Sequence, residues 1–295
     1  MKVENKDGKG NPYHNDDNGQ FASANGGGLA AKGFKSTNWD RVDPVLIPHI
    51  ENNFDELFDE YPVLSERIHP TLLRSDEIED SFAAFGVEVF NIDDDGNVGA
   101  PIFCMCLGDV FEKAELMPQV LTSYMRAKSP LVYSIKNGKD LLKTLLTHEY
   151  GHMIDNIYAL CKNPRSDEIF AFIDRLRENP MPVIQFLDNE IANEIEEESF
   201  LTNNSLSLEI FREMADEYNL SNEQMWQKIE DEYGKYASLE KTSATEGFTA
   251  AEFLAEGFAC MKCLEDEYKT DFMRSFEDKF NRKYNEIIGG YNAKS

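Results

Sequence analysis

The sequence is poor in basic residues and has no long apolar run, and each absence excludes a class of function. Lysine and arginine together number 29, against 55 aspartate and glutamate residues, so the formal net charge is −26. A groove that binds nucleic acid needs clustered Lys and Arg side chains to contact phosphates, and an anionic membrane surface repels such an acidic chain. No segment approaches the ~18–20 consecutive apolar residues of a membrane span. We therefore expect neither nucleic acid nor a membrane as a partner.

Two further absences concern the compartment in which the protein works. The first residues, MKVENKDGKGNPYHNDDNG, lack the apolar core of a secretory signal. The five cysteines are odd in number and are spread over 295 residues, which favours free thiols over a disulfide framework. We therefore expect a cytoplasmic protein in a reducing compartment.

Four of the cysteines form two close pairs. Cys260 and Cys263 have the C-x-x-C spacing of redox and zinc sites, and Cys104 and Cys106 could complete a set of four ligands. However, the first pair lies in an apolar segment with helical spacing, where a free cysteine commonly serves as a small buried hydrophobe. We interpret these cysteines as free thiols rather than as a second, structural zinc site.

The composition divides the chain into two parts. Residues 1–37 contain the polar stretches GKGNP and HNDDNGQ and the run Gly26–Gly28, with few large apolar side chains, which predicts a flexible tail or linker. The chain as a whole is 41% hydrophobic and 12% aromatic, enough to build a substantial core. Residues 38–295 are therefore predicted to form one folded domain.

Apolar periodicity predicts strands in the first half of this domain and helices in the second. The apolar positions of 44–61 recur at helical spacing and predict an amphipathic helix that ends before Pro62. Alternating apolar residues predict strands at 85–90, 102–107 and 130–135, and the chain after residue 139 is predicted to be almost wholly helical. Strands followed by helices indicate an α+β fold.

The acidic segment 93–97, DDDGN, joins the first two of these strands. It predicts a hairpin turn, since Asp, Gly and Asn favour turns. Its acids also resemble the start of a calcium loop, but the twelfth position of that loop is Ile102, where an EF-hand needs a bidentate Glu. The hairpin is therefore the better interpretation.

The segment that carries chemistry is LLKTLLTHEYGHMIDN at 141–156. His148 and His152 are four residues apart, so on a helix their Cβ atoms lie ~5–6 Å from each other and both imidazoles can reach one Zn²⁺. Glu149 stands beside the pair, where it can take a proton from water. This is the H-E-x-x-H arrangement of zinc peptidases. Asp155 lies about 10 Å along the helix axis from His148, too far to be the third ligand.

A downstream carboxylate is the natural third ligand, and two segments offer E-x-x-x-E spacing on a helix. One contains Glu190, and the other contains Glu252 followed by Glu256. In each, the first acid could bind the metal and the second could support a histidine ligand. Glu252 is embedded in apolar residues, where burial of a carboxylate costs free energy unless it is paired, for example with a metal. Alternatively, Glu252 could close a capping box with Thr249 at the start of its helix. Residue chemistry favours Glu252 and leaves Glu190 open.

Two motifs together resemble a known family. HEYGHMID at 148–155 and AEFLAEGF at 251–258 are similar to the catalytic domain of the anthrax lethal factor-type zinc peptidases, also found in phage- and prophage-encoded proteins. The resemblance implies a zincin-like metallopeptidase fold with a small mixed sheet, an active-site helix and a helical C-terminal half. It implies zinc as the cofactor and a protein or peptide as the substrate, and it implies the ligands His148, His152 and Glu252.

The same resemblance implies roles for the residues around the metal. Glu149 becomes the general base, Glu256 and Asp155 support the ligands, and Tyr236 stabilises the oxyanion, with Tyr233 as its alternative. The strand near 131–135 would hold an extended peptide by backbone pairing. Because the chain is so acidic, a basic substrate segment is the plausible electrostatic match.

A second similarity concerns the tail. Residues 11–14 (NPYH) and 19–23 (GQFAS) look similar to a segment of phage and prophage head-associated proteins. This similarity implies a phage- or bacterium-encoded protein whose tail docks on a phage head or packaging partner, and it allows a virion-associated location. The competing hypothesis to a zinc endopeptidase is therefore a non-enzymatic phage-associated binding or structural protein that keeps a zincin-like fold.

Overall fold

The computed structural model describes residues 33–74, 82–88, 91–196, 205–238 and 250–292. It is a mixed α+β structure with a small sheet and a mostly helical second half, as the sequence predicted. The strands are, in chain order, β1 (Ser36–Thr37), β2 (Thr71–Arg74), β3 (Ala83–Glu88), β4 (Asn97–Val98), β5 (Ile102–Leu107) and β6 (Met181–Pro182).

The helices account for most of the described residues. In chain order they are α1 (Ile47–Glu60), α2 (Ser65–Ile68), α3 (Pro118–Ala127), α4 (Gly138–Lys162), α5 (Ser166–Glu178), α6 (Val183–Leu187), α7 (Glu190–Glu196), α8 (Leu206–Glu217), α9 (Asn222–Tyr233), α10 (Ala251–Cys263), α11 (Asp271–Tyr284) and α12 (Gly290–Asn292). In the described ranges, no helix combines the length and the apolar character that a bilayer crossing requires.

The larger sheet has the strand order β1-β2-β5-β3. β1, β2 and β5 run parallel, and β3 runs antiparallel to β5, with Phe85 opposite Met105. This pairing confirms the predicted hairpin, although the first strand ends at Glu88 and residues 89–90 lie outside the described residues. β3 is therefore an edge strand of the described sheet.

The turn between these strands is organised by Asp93. Its Oδ1 accepts hydrogen bonds from the backbone N–H groups of Asp95 and Asn97, at 3.1 and 2.7 Å. Gly96 has a φ of +78°, a conformation that glycine adopts without strain. The short strand β4 follows the turn and pairs with β6 in a separate two-stranded sheet.

Helix α1 forms where the sequence predicted an amphipathic helix. Its apolar stripe, which packs against α4, is buried at Ile50, Phe54, Leu57 and Phe58. Burial of each such side chain stabilises the fold by about 1.5–3 kcal/mol, so this stripe fixes one side of α4 in the core.

Helix α4 is the central element of the core and carries the H-E-x-x-H motif. Its first turn is capped by Asn137, whose side-chain oxygen accepts hydrogen bonds from the N–H groups of Lys139 and Asp140. Helix α10 packs closely across it at Gly151, where a Cβ atom would lie 2.8 Å from the Cα of Ala255. The absence of a side chain at position 151 is what allows this close approach.

The predicted strand at 130–135 is wrong, because Pro130–Tyr133 forms a 3₁₀ turn. The Ser129 hydroxyl accepts the N–H of Leu131 and begins this turn. Leu131 is buried while Tyr133 is 62% exposed and stacks on Tyr268. Local capping and the burial of one side chain outweigh the alternating pattern that suggested a strand.

The predicted tail 1–37 extends too far into the chain. Residues 1–32 lie outside the described residues, but Ser36–Thr37 pair with β2 as strand β1. Phe34 is buried, and its ring makes edge contacts with Phe54 and Phe58 at centroid distances of 4.9 and 5.1 Å. The aromatic side chain therefore docks on α1, and the folded part begins by residue 34.

Candidate metal centre and its cleft

Helices α4 and α10 bring three potential metal ligands together. His148 and His152 lie on one face of α4, with ring centroids 5.0 Å apart. The Glu252 carboxylate, in the first turn of α10, lies 3.3 Å from His148 Nε2 and 3.6 Å from His152 Nε2. One ligand atom from each residue falls within 4.8 Å of the other two. Among the described residues, this is the one group of three or more such side chains with that arrangement.

Glu256 supports this group from the next turn of α10. Its side chain is fully buried, and its Oε2 lies 3.2 Å from His148 Nδ1. Its other oxygen accepts a hydrogen bond from the Ser129 hydroxyl. Glu256 can hold a proton on Nδ1 of His148, while Nε2 of the same ring faces Glu252.

Burial and mutual contact shift the pKa values of these groups in opposite directions. Burial lowers the pKa of His148, but hydrogen bonds to Glu252 and Glu256 outweigh it and hold that pKa well above its usual value. Burial lowers the pKa of His152 to about 4. Burial raises the pKa of Glu252, but the two histidines outweigh it and bring it down to about 2. The carboxylate is therefore ionised and available as a ligand.

Glu149 is buried beside the ligands and faces strand β3. Its Oε2 accepts a hydrogen bond of 3.1 Å from the backbone N–H of Phe85. Burial raises the pKa of Glu149 to about 8, with His148 and the Phe85 N–H acting against it. A carboxyl group with a pKa near neutrality is suited to both accept and release a proton.

A cleft of about 400 Å³ opens over these groups. The edge strand β3 and the residue before it form one wall through 82–85, and α3 forms another through Val120 and Tyr124. Tyr236 also lines the cleft, and its ring lies 6.2 Å from that of Tyr124. Burial raises the pKa of Tyr236, as do the carboxylates of Glu252, Glu256 and Glu149, so its hydroxyl keeps its proton.

The structure separates the alternatives that the sequence left open. Glu190 is exposed at the start of α7 and does not belong to the ligand group. Tyr233 is fully buried against Phe253 and does not line the cleft. The structure therefore brings Glu252, and not Glu190, to the two histidines, and it places Tyr236, and not Tyr233, at the cleft.

Two further predictions for this region have different outcomes. The helix begins after Ala250, which has no polar side chain to cap it, and Thr249, on which the predicted capping box with Glu252 depends, lies outside the described residues. Asp155 is buried, and its Oδ1 accepts the N–H of Ser207 at 2.9 Å, which anchors the start of α8. Asp155 is not among the described residues that line the cleft, so its predicted support of the ligands stays a prediction.

Three features of the site were missed from the sequence. Ser129 binds Glu256, Tyr124 lines the cleft, and the backbone of Phe85 binds Glu149. The first two give no recognisable signal, because a lone Ser or Tyr far along the chain has no motif. The third was missed because the strand beside the cleft was predicted at 131–135, whereas β3 lies there.

No protein-family model, curated protein or solved structure matches the chain. The geometry of the site and the two sequence motifs are therefore the grounds for assigning a function.

Proposed function

We propose that this protein is a zinc-dependent hydrolase. The observation that carries the proposal is the convergence of His148, His152 and Glu252 at ligand distance, with the carboxyl group of Glu149 buried at the same cleft. Two imidazoles and one carboxylate are a donor set that catalytic zinc sites use, with a fourth position left open. The residues present fit the metal in number, chemistry and spacing.

Within that class, we propose a zinc endopeptidase with a zincin-like fold, as the resemblance to the anthrax lethal factor-type peptidases implies. The support beyond the two motifs is the edge strand β3 along the cleft. The Phe85 N–H points away from β5, so the outward backbone groups of β3 could pair with an extended peptide. This strand takes the role that the sequence had given to 131–135.

The atoms that would bind zinc already lie close together in the structure, and one of the two histidines has a supporting contact. Nε2 of His148, Nε2 of His152 and a carboxylate oxygen of Glu252 would bind zinc, and Glu256 would orient His148 through Nδ1. When bound, zinc polarises a carbonyl group and lowers the pKa of a coordinated water to about 7.

The residues of the chain itself carry the proton transfers. Glu149 takes a proton from the attacking water at a carboxylate oxygen and delivers it to the nitrogen of the leaving amine. Tyr236 donates a hydrogen bond to the oxygen of the attacked carbonyl as negative charge develops there.

The proposed partners and cellular location rest on grounds other than the geometry of the site. A protein or peptide substrate follows from the peptidase proposal. Docking on a phage head or packaging partner rests on residues 11–23, which lie outside the described residues. A cytoplasmic or virion-associated location rests on the same similarity and on the sequence composition.

The test compares the wild type with Glu149→Gln. This change keeps both imidazoles and Glu252, so we expect the variant to hold as much zinc as the wild type. We expect its peptide cleavage to fall by about 10²–10⁴-fold, because the base is lost. Metal analysis together with cleavage of a peptide library measures both quantities. Near-native cleavage by the variant would refute the mechanism, and a wild type that binds no supplied zinc would favour the non-enzymatic alternative.

A further inference from the structure

Two cysteines on strand β5 face away from the core. Phe103, Met105 and Leu107 point into the core and are buried, whereas Cys104 and Cys106 alternate with them and are half-buried. The Sγ atoms of the two cysteines lie 3.4 Å apart. The alternation of side chains along a strand places residues two apart on one face, which brings the two thiols side by side.

The neighbouring strand leaves room beside these thiols. Cys104 lies opposite Gly86 and Cys106 lies opposite Ala84, both on β3. Gly86 is exposed, and a Cβ atom built there would meet no described atom within 4 Å. As far as the described residues go, the Gly86 side of the thiol pair is open to a small reagent.

Closing a disulfide between residues two apart would bend the strand. In an extended strand their Cα atoms are ~6.6 Å apart, which is near the upper end of the usual disulfide range of about 4.4–6.8 Å. Their Cβ atoms must also approach to ~3.5–4.5 Å, which parallel side chains on a flat strand do not reach. The backbone must therefore pucker at the residue between them, Met105.

That residue is paired with the strand that lines the cleft. Met105 lies directly opposite Phe85, and the Phe85 N–H donates its hydrogen bond to the carboxyl group of Glu149. A bend at Met105 therefore acts on the contact that holds Glu149.

We propose that Cys104 and Cys106 are a modification site, which a disulfide oxidant such as glutathione disulfide closes to an intrachain disulfide, and that closure displaces Phe85 from Glu149. The consequence for catalysis rests on the proposed peptidase function. The modification itself does not.

The reaction balances with one molecule of glutathione disulfide. The thiolate of one cysteine attacks a sulfur of the oxidant, forms a mixed disulfide and releases one glutathione thiolate. The second thiol, after losing its proton to water, attacks the protein sulfur of that mixed disulfide and releases the second glutathione. Two protein sulfurs are oxidised and one glutathione disulfide is reduced.

The other three cysteines serve as internal controls. Burial raises the pKa of Cys161 to about 12 and holds the pKa values of Cys260 and Cys263 above their usual range. A thiol that stays protonated is a poor nucleophile, so these three cysteines should react slowly.

The first experiment treats the full-length native protein with glutathione disulfide and then counts free thiols and maps peptides by mass spectrometry. We expect the loss of two of the five thiols, a peptide with a 104–106 disulfide that is lighter by two hydrogens, and reversal by a phosphine reductant. Cys104→Ser and Cys106→Ser should each carry a stable glutathione adduct instead. Five intact thiols, or adducts without a disulfide in the wild type, would overturn the proposal.

The second experiment measures the coupling to the cleft by hydrogen exchange of the segment 82–88. We expect faster exchange in the oxidised protein than in the reduced protein, and no change in the double variant Cys104→Ser/Cys106→Ser treated in the same way. Cleavage by the oxidised wild type should fall by about tenfold or more, since the base is displaced, and reductant should restore it. Unchanged exchange after disulfide formation would overturn the coupling. If the disulfide forms and the exchange of 82–88 changes, but neither the reduced nor the oxidised protein cleaves peptide, the proposed peptidase function is refuted. The proposed modification and its effect on β3 then still stand.

Discussion

At the scale of single residues, the clearest contrast is in the placement of Tyr233 and Tyr236. The two side chains are identical and lie three positions apart, but one is in the core and the other is at the cleft. Gly234 separates them with a φ of +89°, and a Cβ atom there would lie 2.6 Å from the carbonyl oxygen of Ala127. This turn ends α9 with Tyr233 in the core and directs the following turn, which carries Tyr236, to the cleft. Spacing in the sequence could not separate the two tyrosines, because the choice depends on a contact with α3.

We predict different effects for removal of the two hydroxyl groups. Tyr236→Phe should lower kcat by about 10²–10³-fold with zinc content unchanged, because one donor to the developing oxyanion is lost. Tyr233→Phe should leave kcat unchanged and should not destabilise the protein, since the Tyr233 hydroxyl is buried without a hydrogen-bond partner among the described residues. Steady-state kinetics and metal analysis of both variants check this. Equal losses of kcat would contradict the assignment of Tyr236.

At the scale of elements, helical periodicity was enough to predict His148, Glu149 and His152 as one cluster. The third ligand could not be settled in that way, since Glu190 and Glu252 both begin an E-x-x-x-E pattern. Packing places Glu252 beside the two histidines, because α10 lies against α4, whereas Glu190 at the start of α7 is exposed.

The contact of α4 with α10 also depends on Gly151, which lies within the H-E-x-x-H motif but is not one of the proposed ligands. Gly151 leaves the space that lets Ala255 approach, and this approach sets the distance from Glu252 to the histidines. We predict that Gly151→Ala lowers the free energy of unfolding by about 1–3 kcal/mol through overpacking and also weakens zinc binding. Denaturant unfolding and zinc titration measure the two effects.

Gly257→Ala is the matched control for this prediction. Its added Cβ atom would lie 2.6 Å from the Phe276 ring, so α10 would be overpacked against α11 rather than against α4. We expect a comparable loss of stability with zinc affinity retained. If both variants lost zinc equally, the weakened binding would reflect general destabilisation and not the α4–α10 distance.

At the scale of the whole molecule, the order of strands followed by helices could be predicted from apolar patterning. The path of the chain at 130–135 and at 33–37 could not, since both depend on distant partners. Ser129 begins a turn while it binds Glu256, and Phe34 packs on α1. Local patterns do not contain these contacts, which is why a strand was predicted in one place and a tail in the other.

The revised boundary gives a prediction for two truncations. Removal of residues 1–32 should leave Tm unchanged, because this stretch contains few large apolar side chains. Removal of residues 1–37 also takes away Phe34 and strand β1, and loss of a buried Phe costs about 3–5 kcal/mol. Tm should then fall by roughly 5–15 °C. Thermal unfolding of the two truncated chains checks this, and equal Tm values would show that Phe34 contributes nothing.

The central claim is that His148, His152 and Glu252 bind one zinc ion, and metal content tests it most directly. The purified wild type, Glu252→Ala and Glu190→Ala should be stripped of metal, given zinc and washed against a weak chelator. We predict about one zinc per chain for the wild type and for Glu190→Ala, and loss of zinc from Glu252→Ala, which keeps only two ligands. Zinc retained by Glu252→Ala and lost from Glu190→Ala, or no zinc in the wild type, would contradict the account.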